Sequence, residues 1–271
     1  MAPLLSAANV SVAFKVGHGR HATTLAALDD VSLDIGRGEI VGLVGESGSG
    51  KSTMARVVCG LQTHENGRVV FDGQELGYRR SKEQRRAIQL VFQDPYASLD
   101  PRMTVQQTLA EVLRVHRIVA KTDLRRRCEE LMDLVQLSGR LLDSRPGGMS
   151  GGQRQRVCIA RALAVTPQLL VADEAVAALD VSVQAGIVNL LADLRTDLGL
   201  SILFIAHDLA VVRALCDRVS VIYHGRIREE RPCQELFDDP HDDYTKRLLS
   251  AIPRLDGPRT AGLESGALRH A

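Results

Sequence analysis

The sequence has no excess of charge of either sign: 34 Lys and Arg stand against 33 Asp and Glu, for a formal net charge of +1 over 271 residues. That balance gives no general pull toward nucleic acid or anionic lipid, so no nucleic-acid partner is expected. It also lacks any apolar run near the roughly 18 residues that cross a bilayer. Residues 1–14 carry no basic stretch followed by a long apolar one, and read as the start of a strand rather than a targeting signal. The five cysteines (Cys59, Cys128, Cys158, Cys216 and Cys233) form no C-x-x-C pair and no Cys/His cluster. That spacing indicates neither a disulfide framework nor a zinc or iron–sulfur site, and leaves reduced, buried, small apolar residues. No internal repeat or low-complexity block is present. Two basic clusters, Arg79-Arg80 with Arg85-Arg86 and Arg125-Arg126-Arg127, read as solvated helix faces.

What is present is a composition of 45% apolar and 25% charged residues, long enough for one large domain or a core with a small subdomain. Short apolar runs at 40–44, 88–92, 169–172 and 202–206, with an alternating run at 219–223, read as strands of a sheet covered on both faces. Val183, Ile187, Leu190, Leu191, Leu194 and Leu198 fall at helical spacing, as do Leu124, Cys128, Leu131, Met132 and Val135. Strands alternating with amphipathic helices predict an α/β fold with a largely parallel sheet. From about 100 to 160 the patterns are helical with no strand, which predicts a helical subdomain inserted in the core. Residues 254–271 lack periodicity and read as a flexible tail.

Gly45-Glu46-Ser47-Gly48-Ser49-Gly50-Lys51-Ser52-Thr53 matches G-x-x-x-x-G-K-[ST] in full, after the apolar run 40–44 and before a helical pattern over 54–61. Glycines let backbone N–H groups curl around phosphates, and the helix N-terminus adds its positive end. Lys51 then reaches the β- and γ-phosphates, and the Ser52 hydroxyl ligates Mg²⁺. A second run, 169–172, ends in Asp173-Glu174. Asp173 is placed to hold Mg²⁺, and Glu174 to orient or deprotonate a water attacking the γ-phosphate. His207 ends a third run and is a candidate γ-phosphate contact.

Met149-Ser150-Gly151-Gly152-Gln153-Arg154-Gln155-Arg156 resembles the LSGGQ signature of the ATP-binding cassette (ABC) ATPases, with Met in place of the first Leu. Ser-Gly-Gly before a helix makes a second phosphate cradle. In that family the signature of one subunit closes over ATP held by its partner. The resemblance implies a P-loop α/β core with an N-terminal antiparallel β subdomain and an inserted helical signature subdomain, the ATPase domain spanning 5–253. It implies that Gln93 contacts Mg²⁺ or water, that Ala178-Leu179-Asp180 spans the dimer interface, and that His207 is the switch histidine. Phe14, the one aromatic before the phosphate loop, is the candidate for stacking on adenine, a role that competes with plain core packing. Ser150, Gly151, Gly152 and Gln153 serve the neighbouring subunit's nucleotide.

The stretch from Phe92-Gln93-Asp94-Pro95 to Arg102, and the C-terminal stretch from Glu235 to Pro253, resemble the ATPases of dipeptide, oligopeptide and nickel importers. The sequence departs from the family at Ala175 and Ala177, where Pro and Ser are usual, at Ala206, and at Asp242-Asp243 in place of His-Pro. None of these removes a proposed catalytic group. The resemblance implies Mg²⁺-dependent ATP hydrolysis, a second cassette ATPase as a heterodimer partner and two transmembrane permease subunits. It further implies an extracytoplasmic solute-binding protein acting indirectly, and a place on the cytoplasmic face of the cell membrane. The alternative is an ATPase in a soluble complex of the phosphonate carbon–phosphorus lyase type.

Overall fold

The computed structural model describes residues 2–16, 23–177 and 179–251; Ala178 and the expected tail 254–271 lie outside them. Among the described residues there are two sheets. The first has four antiparallel strands in the order β2 (Thr23–Ile35), β1 (Leu5–Val16), β4 (Asn66–Phe71) and β5 (Gln74–Glu75). The second has six, in the order β10 (Arg226–Pro232), β9 (Arg218–Tyr223), β3 (Ile40–Val44), β8 (Ser201–Ala206), β7 (Leu169–Asp173) and β6 (Ile88–Val91). All its pairs are parallel except β9 with β10. This is the α/β P-loop architecture with an antiparallel β subdomain.

The inner strands β3, β7 and β8 are almost wholly apolar because both of their faces are covered. Leu169 and Val171 join a core with the first sheet, whereas Leu170 and Ala172 join a second core with the helices. Val41 and Leu43 divide from Ile40 and Val44 in the same way. Helix α1 (Lys51–Val58) lies in the first core, where Met54, Ala55, Val57 and Val58 pack with both sheets. It begins earlier than the 54–61 pattern predicts and stops sooner, because Gly60 turns the chain at φ +71°.

Helices α2 (Lys82–Ala87), α3 (Pro95–Ser98), α4 (Val105–Val115), α5 (Leu124–Leu134) and α6 (Gly151–Leu163) separate the early strands from β7. No strand is assigned between Val91 and Leu169. Helices α7 (Val181–Leu198), α8 (Leu209–Leu215), α9 (Cys233–Asp238) and α10 (Asp243–Ser250) complete the second core and the C-terminal edge. Among the described residues no helix is long and apolar enough to cross a membrane.

One residue of the basic clusters differs from expectation, while Arg79 and Arg85 are exposed as expected. Arg80 is buried, not solvated, and its Nη2 donates to the carbonyls of Val57 at 3.1 Å and Val58 at 3.3 Å. It places a cation on the negative end of α1, which offsets part of the cost of burying the charge; burial still lowers its pKa. The Arg125–Arg127 run lies on α5 among Glu129, Glu130 and Asp123 as exposed ion pairs.

Candidate functional site

Parallel register brings the separated motifs into one row. Val44 lies level with Ala206 on one side and Val221 on the other. Asp173 lies level with Ile205, and Val91 with Ala172. The residues just beyond these strands therefore emerge together at the carboxyl edge of the sheet, where the strand order switches about β3. They are Gly45, His207, Glu174 and Gln93.

The loop 45–50 curls tightly into α1. Gly50 takes φ +114°, and a Cβ there would meet the Ala27 carbonyl at 2.5 Å, so only glycine lets strand β2 approach. Lys51 is 5% exposed, and its Nζ donates to the carbonyls of Gly45 and Glu46, both at 2.8 Å. Burial lowers its pKa, opposed by the carboxylates of Glu174, Asp173 and Glu46. Ser52 Oγ donates to Asp173 Oδ1 at 3.0 Å. Burial raises the Asp173 pKa; the Ser52 hydrogen bond opposes this and the neighbouring Glu174 adds to it. Two hard oxygen ligands so placed suit a cation such as Mg²⁺, which takes one or two protein oxygens and completes its shell with phosphate and water. Ser49 is 4% exposed and its hydroxyl has no partner among the described residues. Glu46, Ser47 and Gly48 form the outer bend of the loop, and Thr53 lies in the first turn of α1.

Glu174 leaves β7 at φ +50°, its N–H still bonded to the Ile205 carbonyl at 2.9 Å. Gln93 and His207 are exposed at the ends of β6 and β8. Phe14 is half-buried against the first core.

The signature residues form a capping box: Gln153 N–H donates to Ser150 Oγ at 3.2 Å, and Ser150 N–H to Gln153 Oε1 at 2.9 Å. Gly151 and Gly152 occupy the first two positions of α6, where N–H groups point out along the axis. This end of α6 packs on the start of α7: a Cβ on Gly152 would run into Val183, and one on Gly151 would approach Leu179 at 3.2 Å. Ser150–Gln153 and Asp180, which is exposed at the N-cap of α7, therefore share one surface. Ala178, in the same expected interface loop, lies outside the described residues.

Sequence reasoning missed the residues that hold this site from a distance. Gly225 N–H donates to the Ser49 carbonyl at 2.9 Å. The hydroxyl of Tyr244, on α10, accepts the Glu46 N–H at 3.1 Å. Arg154 is 5% exposed, donates to the Pro146 carbonyl at 2.8 Å, and stacks its guanidinium 3.6 Å from the centre of the Tyr96 ring. It thereby ties the signature helix to the segment after Gln93. The only sequence signal for Tyr244 is its place in the C-terminal element. Among the described residues the cysteines are free; burial pushes Cys59 up to about 12 and Cys158 up to about 11, leaving unreactive thiols.

The family model described as ABC transporter matches residues 28–177. The oligopeptide transport ATP-binding protein OppF of Bacillus subtilis is 48% identical over 238 residues, covering 86% of this chain and 78% of that one. The solved dimer of the ATP-binding cassette MJ0796, in a post-hydrolysis state bound to ADP and Pi, superposes with a TM-score of 0.74. Its identity is 31%, over 84% of this chain and 98% of that one. CbiO1 of Clostridium perfringens, part of the ABC transporter complex cbiONQ, superposes at 0.77 with 28% identity, over 88% and 92%. With a phosphate loop, an acidic strand end and a signature helix in one α/β cassette, the chain belongs to the ABC transporter family as an ATP-binding, ATP-hydrolysing subunit.

Proposed function

We propose that this chain powers uptake of peptides, or of nickel complexes, as one of two cassette ATPases docked on two permease subunits. The observation that carries the catalytic part is the row formed by the phosphate loop, Asp173-Glu174, Gln93 and His207 at one sheet edge. The likeness to an oligopeptide transport ATP-binding protein supports the choice of solute class. Lys51 and the N–H groups of 45–53 neutralise the phosphates, and Phe14 stacks on adenine. Ser52, Asp173 and Gln93 would hold Mg²⁺, which would supply further positive charge at the phosphate oxygens. Glu174 orients the attacking water and takes up its proton, and His207 steadies the γ-phosphate.

Ser150, Gly151, Gly152, Gln153 and Asp180 act on the nucleotide of the partner cassette, so ATP closes the pair and phosphate release parts it. The helical part of the chain, within the ATPase domain 5–253, receives the permeases. Tyr78 and Phe92, the residue before Gln93, line a cavity of about 530 Å³ with Arg79 and Arg85, and Tyr96 is exposed four residues after Phe92. The assembly holds the chain at the cytoplasmic face of the cell membrane, with a solute-binding protein on the far side. Purification of the tagged chain in mild detergent from its own cells, followed by mass spectrometry, tests this. Two multi-span permeases and a second cassette ATPase are expected. Soluble enzyme subunits without permeases, as in a carbon–phosphorus lyase complex, would overturn the importer reading.

A further inference from the structure

The C-terminal end of the described chain is fastened at several points. Glu229 of β10 is 8% exposed and accepts the N–H groups of His241 at 2.9 Å and Asp242 at 3.0 Å. Those bonds hold its pKa low against the effect of burial. Asp242 caps α10 by accepting the N–H groups of Tyr244 at 2.8 Å and Thr245 at 3.3 Å, and pairs with Arg228 at 3.1 Å. Tyr244 is 4% exposed, with its ring stacked on Tyr223 at 4.1 Å between centroids. Tyr223 ends β9, the strand beside β3.

Everything in this arrangement fixes one oxygen atom. The Tyr244 hydroxyl accepts the N–H of Glu46, 198 residues earlier in the chain. The peptide that carries this N–H also carries the Gly45 carbonyl, which accepts Lys51 Nζ at 2.8 Å. A trans peptide is planar with its N–H and C=O pointing in opposite directions. One rigid plane therefore has the tyrosine at one end and the phosphate-binding lysine at the other. Gly225, from the turn after Tyr223, holds the opposite end of the loop through Ser49.

We propose that Tyr244 is a positioning residue of the ATP site, its hydroxyl fixing the Gly45–Glu46 peptide plane and through it the ammonium group of Lys51. The strap made by β10 and α10 thus sets nucleotide affinity from the far end of the chain. Without the hydroxyl the Glu46 N–H loses its partner, and the plane turns to find another. Lys51 then loses a fixed acceptor, and the loop a part of its preorganisation.

Tyr244→Phe is the direct test, because the stacked ring stays and only the acceptor oxygen is removed. ATP binding to the full-length chain is measured by calorimetry, together with KM, kcat and melting temperature. Exchange of the Glu46 amide is followed by hydrogen–deuterium exchange without nucleotide. Expected are an ATP dissociation constant weaker by about 3- to 10-fold, a matching rise in KM rather than a loss in kcat, and faster exchange at Glu46. Glu229→Gln, which loosens the strap with the tyrosine intact, is expected to weaken ATP binding by a smaller factor. Affinity within two-fold of the parent in both variants, or an unchanged Glu46 amide in Tyr244→Phe, would overturn the assignment. The inference rests on 45–53 being the nucleotide site; failure of the parent chain to bind ATP would remove that reading instead.

Discussion

Glu174 sits at φ +50°, a conformation that costs a non-glycine residue on the order of 1–3 kcal/mol. Its N–H nonetheless stays in the ladder to β8, so the sheet holds the strained turn and swings the carboxylate off the strand beside Asp173. Glu174→Gln keeps size and hydrogen bonding but removes the proton acceptor. It is expected to cut steady-state hydrolysis by at least about 100-fold while leaving ATP affinity within two-fold; parent-like turnover would remove Glu174 from its role. Asp173 shows the cost of such a site. Burial lifts its folded pKa above the ordinary value of 3.8, so the folded chain binds a proton at this group more tightly than the unfolded chain does. The ionised carboxylate therefore counts against folding above the raised pKa, and that penalty fades as pH falls toward the unfolded value. Asp173→Asn, which keeps the oxygen facing Ser52, is expected to raise the melting temperature of the nucleotide-free chain at pH 7.5 by about 1–3 °C. The gain shrinks toward pH 4; a lower melting temperature at pH 7.5 would contradict this. At this scale the legible residues are those in contiguous motifs, such as Lys51-Ser52 and Asp173-Glu174. Tyr244 and Gly225 were not legible, since their roles depend on which strands lie side by side and no local spacing records that.

Among elements, the buried parallel strands β3, β7 and β8 were legible because burial on both faces demands a nearly unbroken apolar run. Strand β2 was not. Its first half, Thr-Thr-Leu-Ala, is exposed, Asp29 and Asp30 interrupt it, and Asp30 turns at φ +59° beside shifts in the β1 register. A twisted, half-solvated antiparallel strand with bulges leaves little periodicity to read. β10, written Arg-Ile-Arg-Glu-Glu-Arg-Pro at the sheet edge, is hidden for the same reason. The start of α6 is set by local and distant terms together. Its capping box is readable from Ser150 and Gln153, but its closeness to α7 is visible only in the fold. Gly152→Ala gains only part of the roughly 1 kcal/mol of helix propensity that a helix interior gives, and the new methyl group meets Val183, whose branched side chain has little freedom to move. The clash is the larger effect, and a net loss of about 1–2 kcal/mol is expected. Chemical denaturation of the isolated chain checks it; a variant more stable than the parent would show that α7 yields at this point.

For the whole molecule, the proposed function turns on two phosphate cradles in one cassette. The loop 45–50 opens at the sheet edge, whereas Gly151 and Gly152 head a helix packed on the start of α7. On the proposed reading, the second cradle acts on a nucleotide that another chain brings. Val181 marks the same surface: it is 82% exposed, one residue after Asp180, at the first position of α7. A lone exposed valine is ordinary on a monomer, but here it lies beside the signature residues. Val181→Glu separates the two circumstances. In the free chain a carboxylate at a helix N-terminus is favourable by a few tenths of a kcal/mol, so stability and ATP affinity are expected to hold or improve slightly. In the proposed closed pair the same carboxylate must be desolvated near a nucleotide that is already strongly negative, at a cost of several kcal/mol. ATPase activity of the purified assembly is therefore expected to fall by at least about 10-fold, while calorimetry on the isolated chain shows ATP binding within two-fold of the parent. An assembly that hydrolyses ATP at the parental rate would place the partner cassette elsewhere and leave Ser150–Gln153 without a nucleotide. Loss of binding in the isolated chain would mean instead that α7 serves the chain's own site.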